Sequence, residues 1–281
     1  MARRLILALV ATLAGLGAAG HLHHRAVAAA ETYSVLVQAD HPVGYWPLDD
    51  APKSRVARAA AGGINGRYVD TRAVNGVSGL ARTFDGRRSF IVIPNSPLWS
   101  KPMGAGLTVE FWMRPAVTTF PAEEGSGYVW IVGKGSPGNQ EWGFRMYGSD
   151  NTESPPRANR IAFYAYKPAG GEGAGAYVQR PVVPGEWIYV VGELTPTGVR
   201  LFTDGVLRQG PPAPATLYAN PAYNVTLEHG SAPVRVGTRN FHSFFEGSVD
   251  EVAIYSYLLS PSQIRAHYRA ALRGNPAIAH G

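Results

Sequence analysis

Apolar residues recur along this chain at two spacings. From about position 43 to 255 the spacing is two, in short runs. In "LTVEFWMRP", Leu107, Val109, Phe111 and Met113 alternate with Thr108, Glu110 and Trp112. Alternate side chains of a strand share a face, so the first set predicts one buried face, and Pro115 ends the strand. Similar runs rich in aromatic and branched residues span 43–48, 89–94, 128–133, 142–147, 160–166, 187–194, 199–203, 234–237 and 249–255, most of them separated by Gly, Pro or Asn. "RLFTDGVLRQ" predicts a hairpin over 200–209, because Asp204-Gly205 suits the two positive-φ positions of a type I′ turn. After 255 the spacing changes. Ser260 is placed as an N-cap, Pro261 follows it, and Gln263 completes a capping box. Ile264, Tyr268 and Leu272 then form an i, i+4, i+8 stripe that Gly274 closes. Stretches 114–127, 148–159, 167–176 and 209–231 read as long loops. The pattern predicts an all-β protein, a two-sheet antiparallel jelly-roll sandwich with one C-terminal helix docked on it.

The first residues stand outside this pattern. Arg3 and Arg4 precede an uncharged apolar run, Leu5 to Ala19, and Ala28-Ala29-Ala30 offers small residues for cleavage before Glu31. That arrangement predicts a secretory signal peptide over 1–30, with an uncleaved anchor as the alternative, a sandwich over 31–273 and a short tail over 274–281. His21, His23 and His24 fall in the removed part and are set aside as metal ligands. The formal charge of the whole chain is +6; removing Arg3, Arg4 and Arg25 leaves 23 − 20 = +3 for 31–281. So small a surplus argues against a nucleic-acid partner and fits an extracellular surface. The absence of cysteine excludes thiol catalysis, thiolate metal sites and iron–sulfur clusters. No membrane span is expected in the mature chain.

Candidate chemistry lies first in the aromatic residues. A saccharide site needs an apolar platform beside a few oriented hydrogen-bonding groups. Trp99, Trp142, Tyr147 and Phe244 lie at strand ends or in loops and are the expected ligand-binding residues, as Tyr218 and Tyr223 could also be. Gln140, Glu141, Asp150 and Asn151 stand near Trp142 and Tyr147 in sequence. Trp46, Trp112 and Trp187 fall within strand runs and are expected in the core. In "NFHSFFEG" (240–247), three Phe crowd one turn, which suggests a plug for the end of the sandwich. Asn224-Val225-Thr226 is a glycosylation sequon.

Five motifs in order carry a family resemblance: "PVGYWPLDD" (42–50), "GLARTFDGRRSFIVIP" (79–94), "LTVEFWMRP" (107–115), "GEWIYVVGELTPTGVRLFTDGVL" (185–207) and "FEGSVDEVAIYSYLLSPSQIRAHY" (245–268). The chain resembles the laminin-G-like branch of the concanavalin A-like lectin/glucanase superfamily. That resemblance implies the same sandwich fold, which hosts lectins, adhesion modules, enzyme accessory domains and some hydrolases and lyases. It also implies neighbouring first and last strands, so that Asp50 and Asp250 could share a calcium ion with carbonyls and water. The alternative for Asp250 is a turn cap that accepts backbone amides. "SRVARAAAGGING" (54–66) lacks the acidic residue of the family pattern, which weakens the metal expectation.

Catalysis is not expected. The glucanase E-x-D-x-x-E pattern is missing, and strict alternation sends Asp250 and Glu251 to opposite faces of a strand, unable to flank one glycosidic bond. "YKPAGGEGAGAYVQ" (166–179) reads as a Gly-rich connection rather than a lyase strand. The expected function is a secreted, non-catalytic binding module for a carbohydrate or a glycosylated surface. The alternatives are an adhesion protein that contacts other proteins through its loops, or a polysaccharide hydrolase or lyase.

Overall fold

The computed structural model describes residues 32–100, 106–120, 127–152, 157–166, 175–177, 180–196, 198–209 and 230–279. The expected signal segment, Tyr218, Tyr223, the sequon and most of 166–179 lie outside them. In chain order come helix α1 (Tyr33–Ala39) and strands β1 (Gly44–Trp46), β2 (Val56–Ala57), β3 (Gly66–Val69), β4 (Arg72–Asn75), β5 (Leu80–Asp85) and β6 (Phe90–Ile93). Strands β7 (Leu107–Pro115), β8 (Tyr128–Ser136), β9 (Asn139–Tyr147), β10 (Ile161–Ala165) and β11 (Gly175–Tyr177) follow. The rest are β12 (Ile188–Thr195), β13 (Gly198–Thr203), β14 (Val206–Gln209), β15 (Val234–Val236), β16 (Glu246–Tyr255) and helix α2 (Pro261–Gly274).

The strands form two antiparallel sheets. The first runs β14-β13-β12-β7-β16-β5-β4, with β1 also pairing to β16. The second runs β11-β10-β9-β8-β15-β6-β3-β2. The inner faces meet in one apolar core. Leu107, Val109, Phe111 and Met113 all enter it, as the alternation predicts. Phe144 packs between Phe111 at 4.8 Å and Phe163 at 4.3 Å. A Cβ on Gly192 would lie 2.5 Å from the Phe144 ring, so glycine is what lets these rings stack across the sheets.

The outer face of the first sheet is covered by the two helices. Ser260 and Gln263 make both arms of the capping box. Ile264 is fully buried, and Tyr268 stacks on Trp112 at 5.8 Å. Helix α1 is absent from the sequence prediction. Its seven residues, "YSVLVQA", bury only Tyr33 and Val37, too few for a periodic signal in a segment with strand-like composition. The tail expected after 273 is also partly packed: Pro276–Ile278 forms a 3₁₀ turn, and Ile278 is buried in the helix layer. The outer face of the second sheet carries neither helix.

Candidate functional site

The acidic residues of "EGSVDEV" divide by burial. Glu246 is exposed at the start of β16, whereas Asp250 and Glu251 are fully buried. The expected divergence of the last two is corrected by a bulge. β16 loses register with β7 between Asp250 and Ala253, and Glu251 adopts φ +56°. The bulge turns Glu251 onto the face of Asp250, toward the helix layer. There Asp250 Oδ2 accepts the Val77 amide at 2.7 Å, and Glu251 accepts the Tyr45 hydroxyl. Burial raises both carboxyls well above the usual range, reinforced by the Asp49 charge at Asp250 and by the Asp250 charge at Glu251.

A third buried acid, Glu110, completes this layer. It accepts the hydroxyls of Tyr189 and Tyr255 and lies 3.0 Å from His267 Nδ1. His267 Nε2 lies 3.0 Å from Asp40 at the end of α1. His267 thus joins the sheet to both helices. Burial raises the Glu110 pKa, but the His267 charge and hydrogen bond outweigh it and hold the carboxyl below its usual value. Burial also depresses His267, and Glu110 and Asp40 more than offset this, so the imidazole pKa is raised. The Ile264–Tyr268–Leu272 stripe is legible in the sequence, whereas the role of His267 is not. A histidine one residue from that stripe gives no sequence signal for a partner 157 positions away.

The expected Asp50–Asp250 pair does not form. Asp50 binds Arg58 Nη1 at 2.8 Å and the Tyr68 hydroxyl at 2.9 Å. The acid that acts electrostatically on Asp250 is Asp49, whose Oδ1 accepts the Leu80 amide. Asp49 and Asp250 therefore hold the two ends of the 76–80 turn. Gly76 and Gly79 make this possible: a Cβ on either would lie 2.4 Å from the Asp250 or the Asp49 carboxylate, respectively. No group of three metal-ligating side chains occurs among the described residues.

Three of the four expected ligand-binding aromatics are fully buried. Trp99 and Trp142 sit in the inter-sheet core, where Trp142 Nε1 donates to Trp99 O at 2.8 Å and Trp99 packs on Trp46. Trp142 lies in β9 and Trp99 in a 3₁₀ turn, but the expectation that they bind a ligand is corrected by their burial, since the indole area is worth more between the sheets than in water. Tyr147 faces outward, but its hydroxyl is engaged by Tyr164 at 2.7 Å and by Arg157 at 3.3 Å. Phe244 is partly buried, and its neighbour Phe245 is the ring that plugs the core.

The outer face of the second sheet instead carries a ladder of rings and guanidinium groups. Arg145 on β9 lies 3.9 Å from the centre of the Tyr128 ring, 4.4 Å from Trp130 and 4.7 Å from Tyr164. Arg239 also lies over the Trp130 ring, 3.6 Å from its centre. Arg235 donates to the Arg239 carbonyl and lies 4.4 Å from the centre of Phe241. Glycines make room for these groups. A Cβ on Gly143 would be 2.4 Å from the Trp130 ring, and one on Gly133, its cross-strand partner, 3.3 Å from Arg239. Trp130 and Tyr147 are fully buried and Tyr128, Tyr164 and Tyr166 nearly so.

The exposed end of the ladder is Phe241. Its side chain is 47% exposed, and its backbone sits at φ +67°. A bulky residue in the left-handed region is an outlier that costs on the order of 1–2 kcal/mol. The Thr238 hydroxyl holds the turn by accepting the Phe241 amide at 3.1 Å, and the ring packs edge-on to Phe90 at 5.1 Å. Exposed His242 lies beside it, and Gln140 accepts from Arg239 at 3.3 Å. Of the three Phe in this turn, Phe244 is the one expected from the sequence to bind a ligand. Only the backbone angles distinguish Phe241.

A helix-backed two-sheet sandwich with an aromatic outer face places the protein in the class of concanavalin A-like folds. The family model described as "Concanavalin A-like lectin/glucanases superfamily" (Laminin_G_3) matches residues 85–265, and the chain belongs to that family. Among curated proteins, none matches the sequence. Similar solved structures include domain 4 of AbnA, a GH43 extracellular arabinanase from Geobacillus stearothermophilus, in complex with arabinotriose. Its TM-score is 0.56 at 16% identity, covering 81% of this chain and 98% of that one. The receptor-binding domain of botulinum neurotoxin C/D mosaic serotype has a TM-score of 0.58 at 11% identity, covering 82% and 51%. Trypanosoma rangeli sialidase has a TM-score of 0.55 at 12% identity, covering 80% and 32%. The chain thus spans about half of the toxin domain and a third of the sialidase. At these identities the likeness shows the fold.

Proposed function

We propose that the protein is an exported, non-catalytic module that binds saccharides on the outer face of its second sheet, with Phe241 as the stacking platform. The observation that carries this reading is the strained, exposed Phe241 ring, held over Arg235 and Phe90. An exposed aromatic that costs backbone strain and gives little burial in return is expected where a ligand supplies the missing contact. Gln140, Arg235 and His242 supply hydrogen-bonding groups around it. The arabinotriose complex of the similar arabinanase domain is consistent with a saccharide ligand. The non-catalytic part rests on the acids. Glu110, Glu141, Glu193, Asp250 and Glu251 are all fully buried, and the acids of "EGSVDEV" divide between buried Asp250 and Glu251 and exposed Glu246, an arrangement that does not set two carboxylates across one glycosidic bond at the surface.

A glycan array probed with the secreted chain tests the reading. Binding that is lost in Phe241→Ala, with no reducing ends released from the bound glycan, is the expected result. An empty array, or turnover, would refute it. Export itself is checked by N-terminal sequencing of secreted material, which should begin at or near Glu31.

A second reading concerns calcium at the 76–80 turn. Asp250 Oδ1 is buried without a partner among the described residues, and Val77, whose amide Asp250 Oδ2 accepts, lines a cleft of about 530 Å³ with Gly76 and Ser78. Two carboxylates with backbone carbonyls form a hard-oxygen set of the kind calcium takes. Asp49 and Asp250 would hold the ion, in place of the expected Asp50. Chelator should then lower the Tm of the parent and leave Asp49→Asn unaffected; an unchanged parent Tm removes the ion from the account.

A further inference from the structure

Among the described residues, the guanidinium of Arg145 has a cage of rings but no acceptor. Three rings stand within 5 Å of its central carbon, and a fourth, Tyr166, at 5.5 Å. No hydrogen bond or ion pair among the described residues involves it, and its Nε is buried and unpartnered. Beside it, Trp130 Nε1 is likewise buried without a partner. A guanidinium has five donors in a fixed fork, and aromatic faces satisfy its charge without accepting those donors. The side chain is nevertheless only partly buried, so solvent reaches it. The buried acid of β9, Glu141, does not balance Arg145: it is tied to Lys134 and to the Gly230 amide. Arg235 and Arg239 extend the same positive stripe toward Phe241.

We infer that this face selects saccharides bearing a carboxylate, with Arg145 as the anchor for the acid group and the exposed Phe241 ring as the platform for the sugar. The inference rests on the saccharide reading above and adds the chemical class of the ligand. A planar carboxylate matches the guanidinium fork with two parallel N–H···O bonds. The surrounding rings lower the local dielectric around the guanidinium, which strengthens that pair. A neutral sugar would leave the Arg145 donors as they are and gain only the stacking.

The test is titration calorimetry with two probes, an oligogalacturonide and the same chain with its carboxyl groups reduced to alcohols. The folded parent should bind the acidic chain at least about tenfold more tightly, with affinity falling as salt is raised. Arg145→Gln should lose about tenfold to hundredfold for the acidic chain and little for the neutral one. Arg145→Lys keeps the charge without the fork and should recover only part of the loss. If Arg145→Gln fails to fold, the two probes and the lysine variant still decide. Equal affinity for both probes in the parent overturns the acid preference and leaves the saccharide reading standing. Tight acidic binding that Arg145→Gln and Arg145→Lys both retain overturns the anchor. Failure of both probes, together with an empty glycan array, takes the saccharide reading down with it.

Discussion

Replacing Glu110 by Gln keeps the shape of the side chain and removes its charge. In the parent this carboxylate accepts two tyrosine hydroxyls and faces the His267 ring, all in a fully buried layer. The amide offers one oxygen to these partners, and its NH₂ group must face a donor. A hydrogen bond to a charged group contributes roughly 1.5–3 kcal/mol, and leaving one partner of a buried pair uncompensated costs about 3–5 kcal/mol. The losses share one network and do not add, so about 3–5 kcal/mol is expected in total. For a domain of this size that corresponds to a fall in Tm of about 6–20 °C. Urea denaturation of Glu110→Gln, His267→Gln and the double variant measures the effect. The double variant should cost at least about 1 kcal/mol less than the sum of the singles. Exposed Glu246→Gln serves as the control. A Glu110→Gln variant within about 0.5 kcal/mol of the parent would refute the idea that this carboxylate ties the helices to the sheet.

Three further outcomes follow from the same structure. Stability should fall as pH rises from about 5 to 8.5. Burial, partly offset by Arg200, pushes the Glu193 carboxyl up to about 7, and Asp250, Glu251 and His267 are also raised, so in each case the folded state binds more protons than the unfolded one above the unfolded pKa; Glu193→Gln should flatten the part of the Tm profile near pH 7, and a profile that rises through this range would contradict the assignment. Gly143→Ala should force the Trp130 ring aside and cost about 1–3 kcal/mol, read as lower Tm and altered near-UV circular dichroism, whereas a neutral substitution would mean the ring does not lie there. Truncation after Ser260 removes the fully buried Ile264 and His267 and uncovers Trp112 and Tyr189, so the shortened chain should melt well below the parent, and an unchanged Tm would contradict docking of α2.

The sandwich was legible because its signals are local. Period-two alternation in 107–113 and the Ser260–Gln263 capping box depend on neighbours in sequence, and both reappear in the structure. What sequence reasoning missed depends on geometry between distant residues. Strands β3 to β5 have weak alternation and find their faces through pairing. Asp250 and Glu251 share a side only because a bulge breaks the period. Trp99 and Trp142, at a loop and a strand end in sequence, show their burial only through the fold, where the Trp142 indole donates to the Trp99 carbonyl. The exposed ring of "NFHSFFEG" is set by one positive φ, which the composition of the turn does not encode.

The central claim is that a strained, exposed Phe241 exists to hold a sugar. Calorimetry with the tightest oligosaccharide from the array, comparing the parent with Phe241→Ala, tests it most directly. Removing the platform should weaken binding by about tenfold or more, in line with stacking worth roughly 1–3 kcal/mol, while the Tm stays within a few degrees of the parent. Undiminished affinity in a folded Phe241→Ala variant would contradict the account.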